Sequence, residues 1–324
     1  MKTRYYLVDA FTDNAFQGNP AAIVLCESES IINQAAGKLA KEFNLSETAF
    51  LSSSSSMSSA SSLSSSFESG SCFSLRWFTP TKEVQLCGHA TLAAAHVLIN
   101  ELKNPNPEIR FETLSGTLVV RSSMDESGHV LLRLAFPLNP FVILGTYVSL
   151  AKPIQELIGC FLSNKEEEEK DKAKVSSVHE VFYSEKTGKL FVRLADGDES
   201  VRQLRSLALS ECSSKLLKID QSSLSSNRKV SGISISVYSP SSGRDFVSRY
   251  MSPWNGIPED PVNGSSHTTL APYYSSFLKK DTVIGEMASS RGGVLICNVM
   301  KKEELVELCG KCVTIAEGVL RNVM

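Results

Sequence analysis

The chain has 324 residues, 42% of them hydrophobic and 21% charged, which is the composition of a soluble globular protein with room for about two domains. A formal net charge of −2 argues against the basic face of a nucleic-acid binder, and no apolar run nears the roughly 20 residues of a membrane span. The start, Met1-Lys2-Thr3-Arg4-Tyr5-Tyr6-Leu7, lacks the apolar core of a signal peptide, and the eight cysteines are scattered, so a reducing, cytoplasmic location is expected.

Residues 5–11 alternate enough for a first strand, and Gly18-Asn19-Pro20 ends a loop of turn formers before a second strand at 21–25. Apolar side chains at Ile31, Ile32, Ala35, Leu39, Ala40 and Phe43 follow a helical period, and 44–51 leaves that helix for a strand. Residues 52–71 are mostly serine, broken by Met57, Ala60, Leu63 and Phe67, and cannot bury a core of their own, so they read as a flexible, solvated hairpin tip inserted between two strands. The stretch from Phe73 to Pro80 reads as a strand that stops at its proline. Cys87-Gly88-His89 then turns into a helix over 88–102, packed through Ala90, Ala93, Ala94 and Ala95. A strand, a glycine turn and a helix start leave unpaired N–H groups, which attract anions.

Strands at 109–113, 117–122 and 130–135 lead to a crossing at Phe136-Pro137. In the second half, 154–161 reads as a helix and 165–174 as a charged, solvated loop. A hairpin is expected at 179–183 and 189–194 around Lys186-Thr187-Gly188, followed by a helix at 201–217. Strands at 232–238 and 246–251, a small-residue helix from Gly264 to about Lys279, and strands at 293–300, 305–308 and 312–316 complete the pattern.

The second half echoes the first. Arg76-Trp77-Phe78-Thr79-Pro80 returns 173 residues on as Arg249-Tyr250-Met251-Ser252-Pro253, and His89-Ala90-Thr91-Leu92-Ala93 returns 178 residues on as His267-Thr268-Thr269-Leu270-Ala271. The echo predicts a duplicated domain; chance similarity between short alternating segments is the alternative. With one long helix per half to cover each sheet, the economical architecture is a curved mixed sheet wrapped round its helix.

Polar residues that could do chemistry cluster at Ser46-Glu47-Thr48, at Cys87-Gly88-His89 and between Glu259 and His267. Glu47 is odd in an otherwise uncharged strand: it is either a cap or outward position, or a catalytic acid. His96 reads as core or cleft wall, His129 and His179 as surface, and His267 as helix packing. Cys309-Gly310-Lys311-Cys312 lacks the second pair or nearby histidines of a zinc site, so its thiols read as incidental to a turn, and no metal is expected.

Five motifs in order, Gly18-Asn19-Pro20-Ala21-Ala22, the run from Asn44 to Phe50, the run from Arg76 to Pro80, the run from Glu83 to Thr91 and the run from Glu259 to Ser265, resemble the PhzF-like (phenazine biosynthesis protein F) family. The resemblance covers the chain end to end. It implies an α+β fold of the diaminopimelate epimerase type: two pseudo-symmetric domains, 1–137 and 138–324, each a mixed β-sheet rolled around a central α-helix, with the active site between them. The serine-rich insertion 52–71 lies in the first. The resemblance also implies a cofactor-independent isomerase that moves a proton on a small, amino-acid-like carboxylate, with no cofactor, and a homodimer. By the same resemblance Glu47 is the proton-transferring residue, with His89, Asp260 and Ser265 as the other catalytic residues. Asn19, Ser46, Gly88 and Gly264 are the expected substrate-binding positions. The second half has no cysteine to match Cys87, which makes a two-thiol epimerase unlike this chain and leaves Cys87 as a small buried residue. A binding or scaffold protein that kept the fold and lost turnover is the alternative.

Overall fold

A computed structural model describes residues 3–26, 29–53, 63–162, 177–219 and 229–321. The charged loop expected at 165–174 and the centre of the serine tract, 54–62, lie outside them. In chain order the first elements are β1 (Thr3–Ala10), β2 (Asn19–Cys26), α1 (Glu29–Phe43), β3 (Glu47–Ser53), α2 (Leu63–Ser69), β4 (Cys72–Phe78), β5 (Glu83–Val84), α3 (Gly88–His96), β6 (Glu108–Thr113), β7 (Gly116–Met124) and β8 (Val130–Pro137). Then come β9 (Val142–Gly145), α4 (Lys152–Leu162), β10 (Val178–Ser184), β11 (Lys189–Leu194), α5 (Asp198–Ser206), α6 (Leu209–Leu216), β12 (Gly232–Tyr238), β13 (Phe246–Ser252), β14 (Ile257–Asp260) and α7 (Gly264–Leu278). The chain closes with β15 (Thr282–Met287), β16 (Val294–Met300), β17 (Leu305–Gly310) and β18 (Cys312–Leu320). Among the described residues no helix is long and apolar enough to cross a membrane.

The chain divides into two compact units. The first comprises Met1–Phe136, Gly293–Leu295 and Glu307–Met324; the second comprises Pro137–Gly292 and Ile296–Val306. The expected contiguous division at 137/138 is thus corrected at the C-terminus. β18 pairs antiparallel with β1, from Thr3 opposite Leu320 to Ala10 opposite Cys312, and this returns the last strand to the first unit. Alternation along a strand fixes which face is buried, not which edge it joins.

In the first unit the sheet runs β18-β1-β2-β3-β4-β6-β7-β8. The β2–β3 and β4–β6 pairs are parallel and the others antiparallel. β2 and β3 are buried almost throughout because α1 and α3 both pack on them, so they read as apolar runs, while β4 and β6 alternate. α1 turns Ile31, Ile32, Ala35, Ala36 and Ala40 inward, as its periodicity predicts. α3 is buried on all sides from His89 to His96, which needs the small side chains it carries. It runs on through a π-helical turn, Val97–Glu101, where Leu102 N–H donates to the Val97 carbonyl. Part of the serine tract is ordered against this unit. Phe67 of α2 is buried and stacks on Phe73, and the Asn104 side chain donates to the carbonyls of Phe67 and Gly70. One aromatic and one amide from a distant loop dock what composition alone reads as a solvated tip.

The second unit repeats the scheme. β9-β10-β11-β12-β13-β15 pair with β11–β12 and β13–β15 parallel and the rest antiparallel, and β14 lies on β13 as β5 lies on β4. The expected helix at 201–217 is two short helices, α5 and α6, broken at Leu207, whose backbone is extended. A matched pair of ion pairs marks the duplication. Arg76 forks onto Glu83 at 2.7 and 2.9 Å, and Arg249 forks onto Glu259 at 2.6 and 2.8 Å, each joining a long strand to the short one before a helix. Chance similarity of short segments would not reproduce a bidentate contact at the same place in both topologies.

Candidate active site

The expected site residues fall into two groups, one in each unit. In the first unit, Glu47 opens β3, where it pairs with Ala21 of β2. α3 starts beside it at Gly88. The residue before, Cys87, is extended and offers no side-chain cap to the first-turn N–H groups. His89, the second helical residue, brings Nε2 to 3.3 Å from Glu47 Oε2 and Nδ1 to 3.5 Å from Cys87 Sγ. The Glu47 contact is near enough for proton exchange, although its angle is not that of a hydrogen bond. The Glu47 side chain is 15% exposed and His89 8%. Burial pushes the His89 imidazole down to about 4 against the opposing pull of the Pro20 carbonyl, so the ring is neutral at neutral pH.

Asn19 and Ser46 meet beside this pair: the Ser46 hydroxyl donates to Asn19 Oδ1 at 3.0 Å, tying the approach to β3 to the start of β2. Only glycine fits before Asn19. Gly18 has φ of +67°, and a Cβ there would lie 2.2 Å from the Ala10 carbonyl oxygen. Glu47, Cys87 and His89 place one ligand atom each within 4.8 Å of one another. A carboxylate, a thiol and an imidazole are a donor set that zinc accepts, and their closeness is equally what a proton relay needs.

In the second unit Asp260 ends β14 and Gly264 opens α7. Asn263, a position the sequence reading passed over, caps the helix: its Oδ1 accepts from Ser266 N–H at 2.6 Å, while its Nδ2 donates to Asp260 Oδ2 at 2.9 Å. Ser265, the second helical residue, accepts a hydrogen bond from Lys189 Nζ. Lys189 was also missed. Its signal was present, since it is one of two cations in a six-residue strand whose every position is buried.

The helix starts correct the repeat alignment. Gly88 matches Gly264, so Ser265, not His267, stands where His89 stands. His267 instead matches Thr91. Each bonds the carbonyl of its helix cap four residues back, Thr91 Oγ1 to Cys87 at 2.6 Å and His267 Nδ1 to Asn263 at 2.8 Å. His267 is fully buried and its ring lies 5.5 Å from that of Phe246, which is the helix packing expected of it. His129 and His179 are exposed, and His96 is buried against Thr314 and Glu101. Burial pushes the Cys309 and Cys312 thiols up to about 12, which keeps both protonated and unreactive at neutral pH.

Strand register identifies the counterpart of Glu47. In the first unit Ala21 faces Glu47 and Thr48 faces Phe78; in the second Lys189 faces Gly232 and Ile233 faces Met251. Aligning Arg76 with Arg249 therefore puts Gly232 in the place of Glu47 and Lys189 in the place of Ala21. A Cβ on Gly232 would lie 2.0 Å from the Tyr250 hydroxyl, so the tyrosine occupies the room that the acid has in the first unit. The duplicated fold thus keeps one carboxylate of this kind.

A pH dependence follows from the two buried histidines. Burial pushes His267 down to about 4, as it does His89. Unfolded, both take a proton near pH 6.5, so between about 6.5 and 4 the unfolded chain binds more protons and stability falls with falling pH. Urea unfolding at pH 7.5 and 4.5 is expected to show His267→Asn losing about 2 kcal/mol less than the wild type across that interval. An equal loss in both proteins would show that His267 is not held neutral.

The family model described as phenazine biosynthesis-like protein (PhzC-PhzF) matches residues 8–318. A phenazine biosynthesis-like domain-containing protein of Rattus norvegicus is 39% identical over 99% of both chains. An uncharacterized isomerase of Pseudomonas aeruginosa is 31% identical over 99% of both. A crystal structure of a phenazine biosynthesis PhzC/PhzF protein from Clostridium difficile matches with a TM-score of 0.72 at 30% identity, over 98% of this chain and 99% of that one.

Proposed function

Because the chain belongs to the PhzC-PhzF family of phenazine biosynthesis-like proteins, whose known members are isomerases, we propose that it moves a proton on a small carboxylate without a cofactor, using Glu47 as the base. The observation that carries this reading is the Glu47–His89 contact at the uncapped start of α3. A C–H proton next to a carboxylate is weakly acidic, so its removal needs a base in contact and a place for the developing negative charge. Placing the base supplies about 10²–10⁴-fold, and each preorganised donor at a helix start about 10²–10³-fold more. A neutral His89 can give or take a proton without first losing one to solvent. In the same reading His89 and Asp260 relay or oppose the proton, and Ser265 with the turns at Gly88 and Gly264 holds the carboxylate. Asn19 and Ser46 order the near side. Racemisation at Cα and an allylic hydrogen shift use the same apparatus. A homodimer in the cytoplasm is part of the proposal.

The test is a panel of amino acids and small carboxylates incubated with the wild-type chain in deuterated water. Loss of a C–H signal beside the carboxylate, followed by proton NMR, is the expected outcome. No exchange across a broad panel would sink the isomerase reading and leave a binding protein.

A further inference from the structure

Lys189 has no part in the proton transfer proposed above, yet it is buried in the second unit against the site residue Ser265. It is 7% exposed, its Nζ donates to Ser265 Oγ, and it lies 5.6 Å from the centroid of the Tyr250 ring. Burying an ammonium is costly unless the charge is paired and hydrogen-bonded. The first unit shows that the fold does not require one, since the matching position there is Ala21, fully buried at no electrostatic cost. The hydrogen bond also has a direction. Ser265 Oγ accepts from Lys189, which leaves the serine's own proton free to be given away. A cation and a hydroxyl donor meeting at the first turn of a helix make a receptor for an anion.

We propose that Lys189 is a specificity-determining residue, which with the Ser265 hydroxyl forms a cationic seat for a substrate carboxylate at the start of α7. The proposal rests on the isomerase reading for what the anion is, and it predicts that substrates lacking an anionic group at that end are poor ones. Asp260 and Asn263 frame the seat. Burial brings the lysine down to about 8, against the opposing pull of the Asp260 carboxylate, which itself accepts from Asn263. The seat therefore weakens as the pH rises through about 8, where an arginine would stay charged.

Two readouts separate this proposal from the reading it rests on. Inorganic sulfate is titrated into the 15N-labelled full-length chain while the amides of Gly264, Ser265 and Ser266 are followed. Saturable shifts are expected in the wild type and in Glu47→Gln, with binding about 10–100-fold weaker in Lys189→Met, as loss of a charge-assisted hydrogen bond implies. Equal affinity in Lys189→Met and the wild type, or no shift of these amides in either, would overturn the seat whatever the enzyme does. With an exchanging substrate, Lys189→Met is expected to raise KM about 10–100-fold with kcat within about threefold, and Lys189→Arg to restore KM and flatten its alkaline rise. An unchanged KM in Lys189→Met would also overturn the proposal. A wild-type chain that exchanges nothing but binds sulfate through Lys189 would sink the isomerase reading alone.

Discussion

Glu47→Gln is expected to cut deuterium uptake into a responsive substrate by about 10²–10⁴-fold while leaving the fold intact. The amide matches the acid in size and shape but cannot accept a C–H proton at neutral pH. The structural cost is small because the Glu47 side chain keeps some solvent contact and its contact with the neutral His89 is not an ion pair. Thermal and urea unfolding of the variant should therefore track the wild type. Glu47→Asp separates chemistry from placement. It keeps a base but withdraws it by one methylene, and misplacement on that scale costs about 10²-fold. Uptake in Glu47→Gln at the wild-type rate would assign the proton transfer to another group.

Arg249→Ala is expected to destabilise the chain by about 3–5 kcal/mol in urea unfolding, the largest loss from any single surface-to-core polar contact described above. The guanidinium is 7% exposed. Its Nε and one Nη hold Glu259 in a fork, while the other Nη donates to the carbonyls of Leu204 at 3.0 Å and Leu207 at 2.6 Å, where α5 ends. Truncation strands a half-buried carboxylate and removes the donor to the Leu207 carbonyl, while the Leu204 carbonyl keeps the Leu207 N–H at 3.3 Å. Arg76→Ala supplies the internal control. Arg76 and Glu83 make the same fork, but at 23% and 26% exposure the pair is reached by water, which can solvate the freed Glu83 carboxylate, so a loss of about 1–2 kcal/mol is expected. Equal losses in the two variants would mean that burial is not what distinguishes the repeats.

These variants also trace where sequence reasoning reached and where it stopped. The strand–turn–helix at Cys87-Gly88-His89 was legible because a proline and a glycine interrupt the strand pattern and the alanine-rich run after them favours helix. The duplication was legible through Arg76 and Arg249, because an arginine in a strand beside aromatic and apolar neighbours needs a partner in both copies. The matching of His89 with His267 was misleading. Both sit in similar short motifs, but the second turn carries an inserted length that similarity of side chains does not measure, and only the helix starts fix the offset. Phe67 was read as one apolar residue in a solvated tract, since its partners Phe73 and Asn104 are recognisable only once β4 and the loop after α3 have been brought together.

Periodicity and turn chemistry determined the repeated α+β pattern, and the order of five motifs carried the resemblance to the family and, through it, the choice of Glu47, because those signals are local and survive in one dimension. Tertiary structure decided the return of Cys312–Leu320 to β1, the exchange of Glu47 for Gly232 under the Tyr250 hydroxyl, and the burial of Lys189 against Ser265. Each depends on which strand edges pair and in what register, and pairing between residues far apart in the chain is set by the packing of whole sheets on their helices, not by any residue's neighbours in sequence.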